Sequence, residues 1–137
     1  MRCLRVAKRV LVVEDNELNL KLFCDLLRVH HFAAEPVKDG REAVARAREL
    51  APDLIVMDIQ MPYVTGLELI QQMKHDPHLR AIPIMAVTAY AGHEDEERIR
   101  AAGADAYVSK PISLARFMEE VRALVPESAG PQVEPPE

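Results

Sequence analysis

The chain has only two cysteines, Cys3 and Cys24. Two cannot build a disulfide framework, and they point to a reducing compartment. No apolar run approaches the roughly 20 residues that a membrane-spanning helix needs. The opening Met1-Arg2-Cys3-Leu4 is too short, ahead of Glu14-Asp15, to hold a secretory signal. A cytoplasmic protein with no membrane association is the expectation. Basic charge is also scarce: 17 Lys and Arg face 22 Asp and Glu, for a net charge of -5. That balance disfavours general nucleic-acid binding. There is no G-x-x-x-x-G-K-[ST] loop and no G-x-G-x-x-G after a strand-like run. No nucleophile-elbow serine is found. The histidines, His30, His31, His75, His78 and His93, lack zinc-ligand spacing with partners nearby and are expected at the surface.

What is present reads as one globular domain. The chain has 137 residues, 49% apolar and 28% charged, which fits a single domain of ordinary composition. Strand-like and helix-like patterns alternate along it. Strands are expected near 8–13, 33–37, 53–57, 83–87 and 105–108, and helices near 16–30, 40–50, 65–75, 92–102 and 112–125. Such alternation implies βαβ units and a parallel sheet. The central strands are continuous apolar runs, as when helices cover both faces. Asp39-Gly40 and Gly103 are turn or helix-end signals, and Ala51-Pro52 closes a helix. Residues 126–137 are rich in proline and acid, so a disordered tail is expected. The domain is therefore placed at 8–125, after a short extension over 1–7, with no further domain behind it.

Polar residues mark the ends of four of these strands. Glu14 and Asp15 follow Val10-Leu11-Val12-Val13, and Asp58 follows Leu54-Ile55-Val56-Met57. Thr88 follows Ile84-Met85-Ala86-Val87, and Lys110 comes just after Ala106-Tyr107-Val108. In an open parallel sheet, ligands bind outside the carboxyl ends of the strands. Four separate stretches therefore converge on one place. Two like charges 5 Å apart repel by roughly 3 kcal/mol at an effective dielectric of 20, so three carboxylates need a counter-charge. Hard oxygen ligands favour Mg²⁺, and Lys110 adds a second cation. A carboxylate beside a metal can attack phosphorus to form an acyl phosphate. Asp58, on the most apolar strand, is the candidate acceptor. Thr88 could donate to a phosphoryl oxygen, and Lys110 could neutralise its charge.

The same residues carry a family resemblance. Val10-Leu11-Val12-Val13-Glu14-Asp15-Asn16, Met57-Asp58-Ile59-Gln60-Met61-Pro62, Val87-Thr88-Ala89 and Ser109-Lys110-Pro111 resemble the receiver domain of two-component response regulators. The resemblance spans residues 8–125. Glu14-Asp15-Asn16-Glu17-Leu18-Asn19, Asp95-Glu96-Glu97-Arg98-Ile99-Arg100 and Ser109-Lys110-Pro111-Ile112-Ser113 look like the DivK-type, single-domain, cell-cycle members. The resemblance implies a flavodoxin-like, CheY-like fold with strand order 2-1-3-4-5. It implies phosphoryl transfer to Asp58 from a sensor histidine kinase or a histidine phosphotransfer protein. It implies Mg²⁺ held by Glu14, Asp15, Asp58 and the Gln60 carbonyl, with Thr88 and Lys110 on the phosphoryl group. Tyr107 matches the switch aromatic that accompanies Thr88. The Lys110–Pro111 bond is expected to be cis. Gln60 and Tyr90 would flank the phosphoryl group, and a bulky Tyr90 would shield it from water.

The first helix carries a wide apolar arc. Leu18, Leu22, Leu26 and Val29 share one face at helical spacing, and Leu20, Phe23, Cys24 and Leu27 extend it. Leu18, Leu20, Phe23 and Cys24 are expected to form a docking face for the phosphodonor. The expected role is a phosphorylation-switched adaptor, not an enzyme, acting on a downstream protein as a monomer or weak dimer. Two other readings stay open: a receiver-like module that binds without phosphorylation, and a phosphohydrolase using Asp58 as nucleophile. The hydrolase class wants a second acid two residues on, where Gln60 stands.

Overall fold

The computed structural model describes residues 7–89, 93–110 and 112–125, with the backbone alone at 93 and 94. The elements run β1 (Arg9–Val13), α1 (Glu17–Val29), β2 (Ala33–Val37), a 3-10 turn (Gly40–Glu42), α2 (Ala43–Leu50) and β3 (Leu54–Asp58). They continue with α3 (Gly66–Lys74), β4 (Ile84–Thr88), α4 (His93–Ala102), β5 (Ala106–Ser109) and α5 (Leu114–Leu124). The strands form one parallel sheet in the order β2-β1-β3-β4-β5. This is the doubly wound, flavodoxin-like order, and the strand sequence reverses between β1 and β3.

Strand periodicity sends alternate side chains to opposite faces of the sheet. Val10 and Val12 of β1 join a layer with Phe23, Cys24 and Leu27 of α1 and Phe117 and Val121 of α5. Leu11 and Val13 join the other layer, with Ala47 of α2, Ile70 and Met73 of α3 and Ile99 of α4. In the first layer Phe23 stacks on Phe117, with centroids 4.9 Å apart and planes at 9°. Such a pair is worth about 0.5–1.5 kcal/mol beyond the area it buries. Pro36 sits in β2, an edge strand, where the sheet does not need its missing N–H.

Helix starts are set by short polar side chains. The Asn16 side chain accepts the Asn19 N–H at 3.0 Å, so the cap of α1 stands two residues past Glu14 and the helix begins at Glu17. Thr65 and Glu68 form a reciprocal capping box at α3. Ser113 accepts the Arg116 N–H at 3.3 Å to open α5. Gly103 ends α4 with φ of +124°, a conformation that a side chain would strain.

The expected docking face on α1 is corrected by burial. Leu20, Phe23 and Cys24 lie in the α1–α5 layer, 9%, 1% and 3% exposed. Leu18 is 79% exposed, with Leu22 and Val29 also at the surface. The helix carries two overlapping apolar stripes, and the one through residues 20, 23, 24 and 27 faces the sheet. Tyr90, the Lys110–Pro111 bond, Cys3, most of the extension over 1–7 and the tail over 126–137 lie outside the described residues.

The far end of the molecule is tied by an ion pair. Arg48 on α2 reaches Asp76 after α3, with Nε and Nη2 at 2.8 and 2.5 Å from Oδ2. Asp76 is buried and its other oxygen takes the His78 N–H at 2.8 Å. The His78 N–H and then Arg48 hold this carboxyl below its ordinary value. A depressed carboxyl stabilises the fold above the unfolded pKa and loses that contribution as pH falls through the folded one. Asp76→Asn is therefore expected to lower the urea midpoint at pH 7 and to start approaching wild type as pH falls below about 4, the unfolded value, meeting it only below the lower, folded one. Parallel curves at both pH values would count against the charge of Asp76 as the cause.

Candidate functional site

The carboxyl ends of β1, β3, β4 and β5 bring five side chains to one edge. The Glu14 N–H continues the β1–β2 ladder by donating to the Val37 carbonyl at 3.0 Å. That pins Glu14 against the sheet, and its side chain is buried. Asp15, the next residue, is half-buried. Asp58 is the last residue of β3 and Thr88 the last of β4, and both are buried. The Lys110 N–H donates to the Thr88 carbonyl at 2.7 Å. This carries Lys110 one step past β5 and turns it toward the acids.

One carboxylate oxygen from each of Glu14, Asp15 and Asp58 lies within 4.8 Å of the others. Lys110 Nζ is 3.6 Å from Asp58 Oδ1 and 3.8 Å from Glu14 Oε1. Backbone donors also reach the carboxylates: Asn16 N–H donates to Glu14 Oε2, the oxygen away from Lys110, at 3.1 Å, and Gln60 N–H to Asp58 Oδ1, the oxygen that faces Lys110, at 3.2 Å. Burial, and then the charge on Asp58, push Glu14 up to about 8. Burial likewise raises Asp58, against the pull of Lys110. One ammonium does not balance three acids. Glu14 Oε1 is buried with no hydrogen-bond partner, and a buried polar atom of that kind calls for an explanation. An oxygen-ligated divalent cation fits it: the donor set is all hard oxygen, clustered, and short of positive charge.

Glu14, Asp15, Asp58, Thr88 and Lys110 thus meet as expected from their places at strand ends. Tyr107 sits half-buried on β5, packed against the α2–α4 layer. Its partial burial, then Glu96 and Asp95, raise its phenol. Of the histidines, His31, His75 and His78 are exposed. His30 is half-buried and its Nδ1 lies 2.7 Å from Arg122 Nη2. The side chain of His93 lies outside the described residues. Two features were not foreseen. The Gln60 side chain accepts the Ala89 N–H at 2.9 Å across the mouth of the site. Gly66 packs directly on the backbone of Asp58. Neither carries a local sequence signal, because both depend on how β3 and β4 end side by side.

A doubly wound sheet whose switch point gathers three acids, a hydroxyl and a lysine defines a class of cation-ready, phosphoryl-binding α/β domains. The chain belongs to the response regulator receiver domain family, which matches residues 10–122. It is 53% identical over 116 residues to the polar-differentiation response regulator DivK of Brucella anthropi, covering 85% of this chain and 94% of that one. It is 52% identical over 118 residues to its counterpart in Brucella ovis, covering 86% and 96%. Among solved structures, Vibrio cholerae chemotaxis protein CheY4 superposes with a TM-score of 0.83 at 25% identity, over 88% of this chain and all of that one. The receiver domain of the Pseudomonas aeruginosa sensor histidine kinase PA1611 gives 0.81 at 29% identity, over 88% and 99%. That structure has a magnesium ion coordinated in its active-site cleft. The expected family and fold are both found. Among the described residues, no helix is long and apolar enough to cross a membrane.

Proposed function

We propose that this chain is a cytoplasmic, single-domain response regulator that accepts a phosphoryl group on Asp58 and, without being an enzyme, switches its affinity for a downstream protein. The donor would be the phosphohistidine of a sensor histidine kinase or a histidine phosphotransfer protein. The observation that carries the reading is Asp58 itself: buried at the end of β3, 3.6 Å from Lys110 Nζ, beside two further acids. The likeness to polar-differentiation regulators supports a role in developmental or cell-cycle control.

Glu14, Asp15, Asp58 and the Gln60 carbonyl would hold Mg²⁺, which when bound offsets charge on the oxygens in transfer. An Asp58 oxygen attacks phosphorus; the P–O bond forms as the P–N bond to the donor imidazole breaks. The departing imidazole takes up a proton. Lys110 pairs with the arriving oxygens, and Thr88 donates its hydroxyl to one of them. The added group brings roughly -1.5 to -2 charges. Thr88 and Lys110 follow it, and β5 with Tyr107 shifts its population of arrangements. A partner responds only insofar as it binds the shifted arrangement better.

Intact mass after incubation with acetyl phosphate and Mg²⁺ tests the acceptor. Wild type is expected to gain one phosphoryl group, and Asp58→Asn or a chelated sample none. A gain that survives Asp58→Asn would move the acceptor elsewhere. No gain in folded, metal-supplied wild type would favour a phosphate-independent binding module.

The docking face is tested at the surface that burial leaves open. Leu18→Glu should fold normally, since Leu18 is exposed. It is expected to slow transfer from a phosphohistidine protein roughly tenfold, the effect of losing about 1.4 kcal/mol of binding. Phosphorylation by acetyl phosphate should be unchanged. Equal slowing with both donors would remove α1 from docking.

A further inference from the structure

Gln60 touches both sides of the acceptor. Its backbone N–H donates to Asp58 Oδ1 at 3.2 Å, and its side-chain Oε1 accepts the Ala89 N–H at 2.9 Å. Ala89 directly follows Thr88 at the end of β4. The Ile59 N–H to the Val87 carbonyl, at 3.0 Å, is a backbone rung that continues the β3–β4 ladder past Asp58. The Gln60 side chain adds a further rung beyond it, made by a carboxamide at the exposed mouth of the site. Both residues are exposed, so water can replace this bond at little cost.

A carboxamide oxygen is neutral. A phosphoryl oxygen is charged and accepts roughly twice as strongly. We propose that the Gln60 carboxamide is a latch. In the unmodified chain it occupies the Ala89 N–H, and it lets go when a phosphoryl group on Asp58 recruits that N–H. The inference rests on Asp58 being the acceptor, as above. It gives Ala89 two alternative anchors, one on the β3–α3 loop and one on the modified aspartate. Two discrete anchors are what a switch needs. They also make Gln60 a positioning residue that opposes phosphorylation until the stronger acceptor arrives.

The test uses Gln60→Met, which keeps length and bulk but lacks a strong acceptor, and Gln60→Ala, which lacks both. Each leaves the backbone carbonyl in place. The readouts are exchange of the Ala89 amide hydrogen in the unphosphorylated protein and the rate of phosphorylation by acetyl phosphate with Mg²⁺. Both variants are expected to speed Ala89 exchange, and phosphorylation with it, by about two- to tenfold, the range for one net hydrogen bond. The Gln60→Glu variant, which keeps an acceptor, is expected to retain the slow exchange. Unchanged Ala89 exchange in Gln60→Met overturns the latch. So does faster phosphorylation in Gln60→Ala alone, which would mean shielding by bulk. A wild-type chain that gains no phosphoryl group overturns the acceptor reading and the release step together, while Ala89 exchange still reports the resting bond separately.

Discussion

Gly66→Ala is expected to be among the most damaging single-methyl additions to this chain. A Cβ on Gly66 would stand 2.4 Å from the Asp58 carbonyl oxygen and 2.7 Å from the Ile59 Cα. Both are backbone atoms, so no side chain can rotate aside. The Gly66 N–H also donates to the Ile59 carbonyl at 3.0 Å, which stitches the start of α3 to the end of β3. The methyl must push these two apart. Overpacking of this sort costs typically about 1–3 kcal/mol, occasionally more, and contact with backbone places it at the upper end. For a domain of this size that lowers the melting temperature by roughly 10 °C. The damage reaches function too, because the displaced residue is Asp58. A misplacement of about 1 Å can cost a hundredfold in rate. Thermal melting and the acetyl phosphate rate should therefore fall together. A variant that melts with wild type would show that α3 can retreat freely.

The second large effect has the opposite sign for stability. Glu14→Gln is expected to make the metal-free protein more stable while removing its response to Mg²⁺. In wild type a buried carboxyl raised from 4.5 to about 8 disfavours the folded state once ionised. The sign follows from linkage: that cost is absent below pH 4.5, grows as pH rises, and is complete above about 8. A neutral carboxamide of the same shape carries no such cost. It keeps an acceptor for the Asn16 N–H, and its NH₂ can donate to Asp58. In wild type a bound cation would offset the repulsion, and binding at 100 times Kd would stabilise by about 2.7 kcal/mol. Melting with Mg²⁺ and with a chelator should differ by several degrees in wild type and hardly at all in Glu14→Gln. The variant's metal-free melt should also lose the decline between pH 5 and 8. An equal Mg²⁺ shift in both proteins would remove Glu14 from the ligand set.

The parts of this molecule legible in the sequence are those written by spacing. Continuous apolar runs such as Leu54–Met57 and Ile84–Val87 announced strands covered on both faces, and these two are buried throughout. An acid or hydroxyl directly after such a run had to lie at the sheet's carboxyl edge, and Glu14, Asp58 and Thr88 do. Helical period is less informative where apolar residues cover two stripes. On α1 it gave the spacing of Leu18, Leu22 and Val29 but not which stripe met the sheet. The other stripe, with the bulky Phe23, is what fills the space against Phe117. Beyond the convergence of strand ends, individual bonds between distant segments were not readable. The Arg48–Asp76 pair joins residues 28 apart, and the Gln60–Ala89 bond joins residues 29 apart. Each is a meeting of two element ends that only the packed sheet brings together.

The sheet also works as a bulkhead. Phe23 and Phe117 sit on one side of it, and Ile70 and Met73 on the other. Its hydrogen-bonded backbone keeps the two interiors from exchanging volume. A substitution that loosens one compartment leaves the other as a rigid floor beneath the strand ends. The layer of α1 and α5 can therefore be repacked with little volume change passed to the layer on the other side of the sheet. One wall thus lets a single small domain be remodelled in halves.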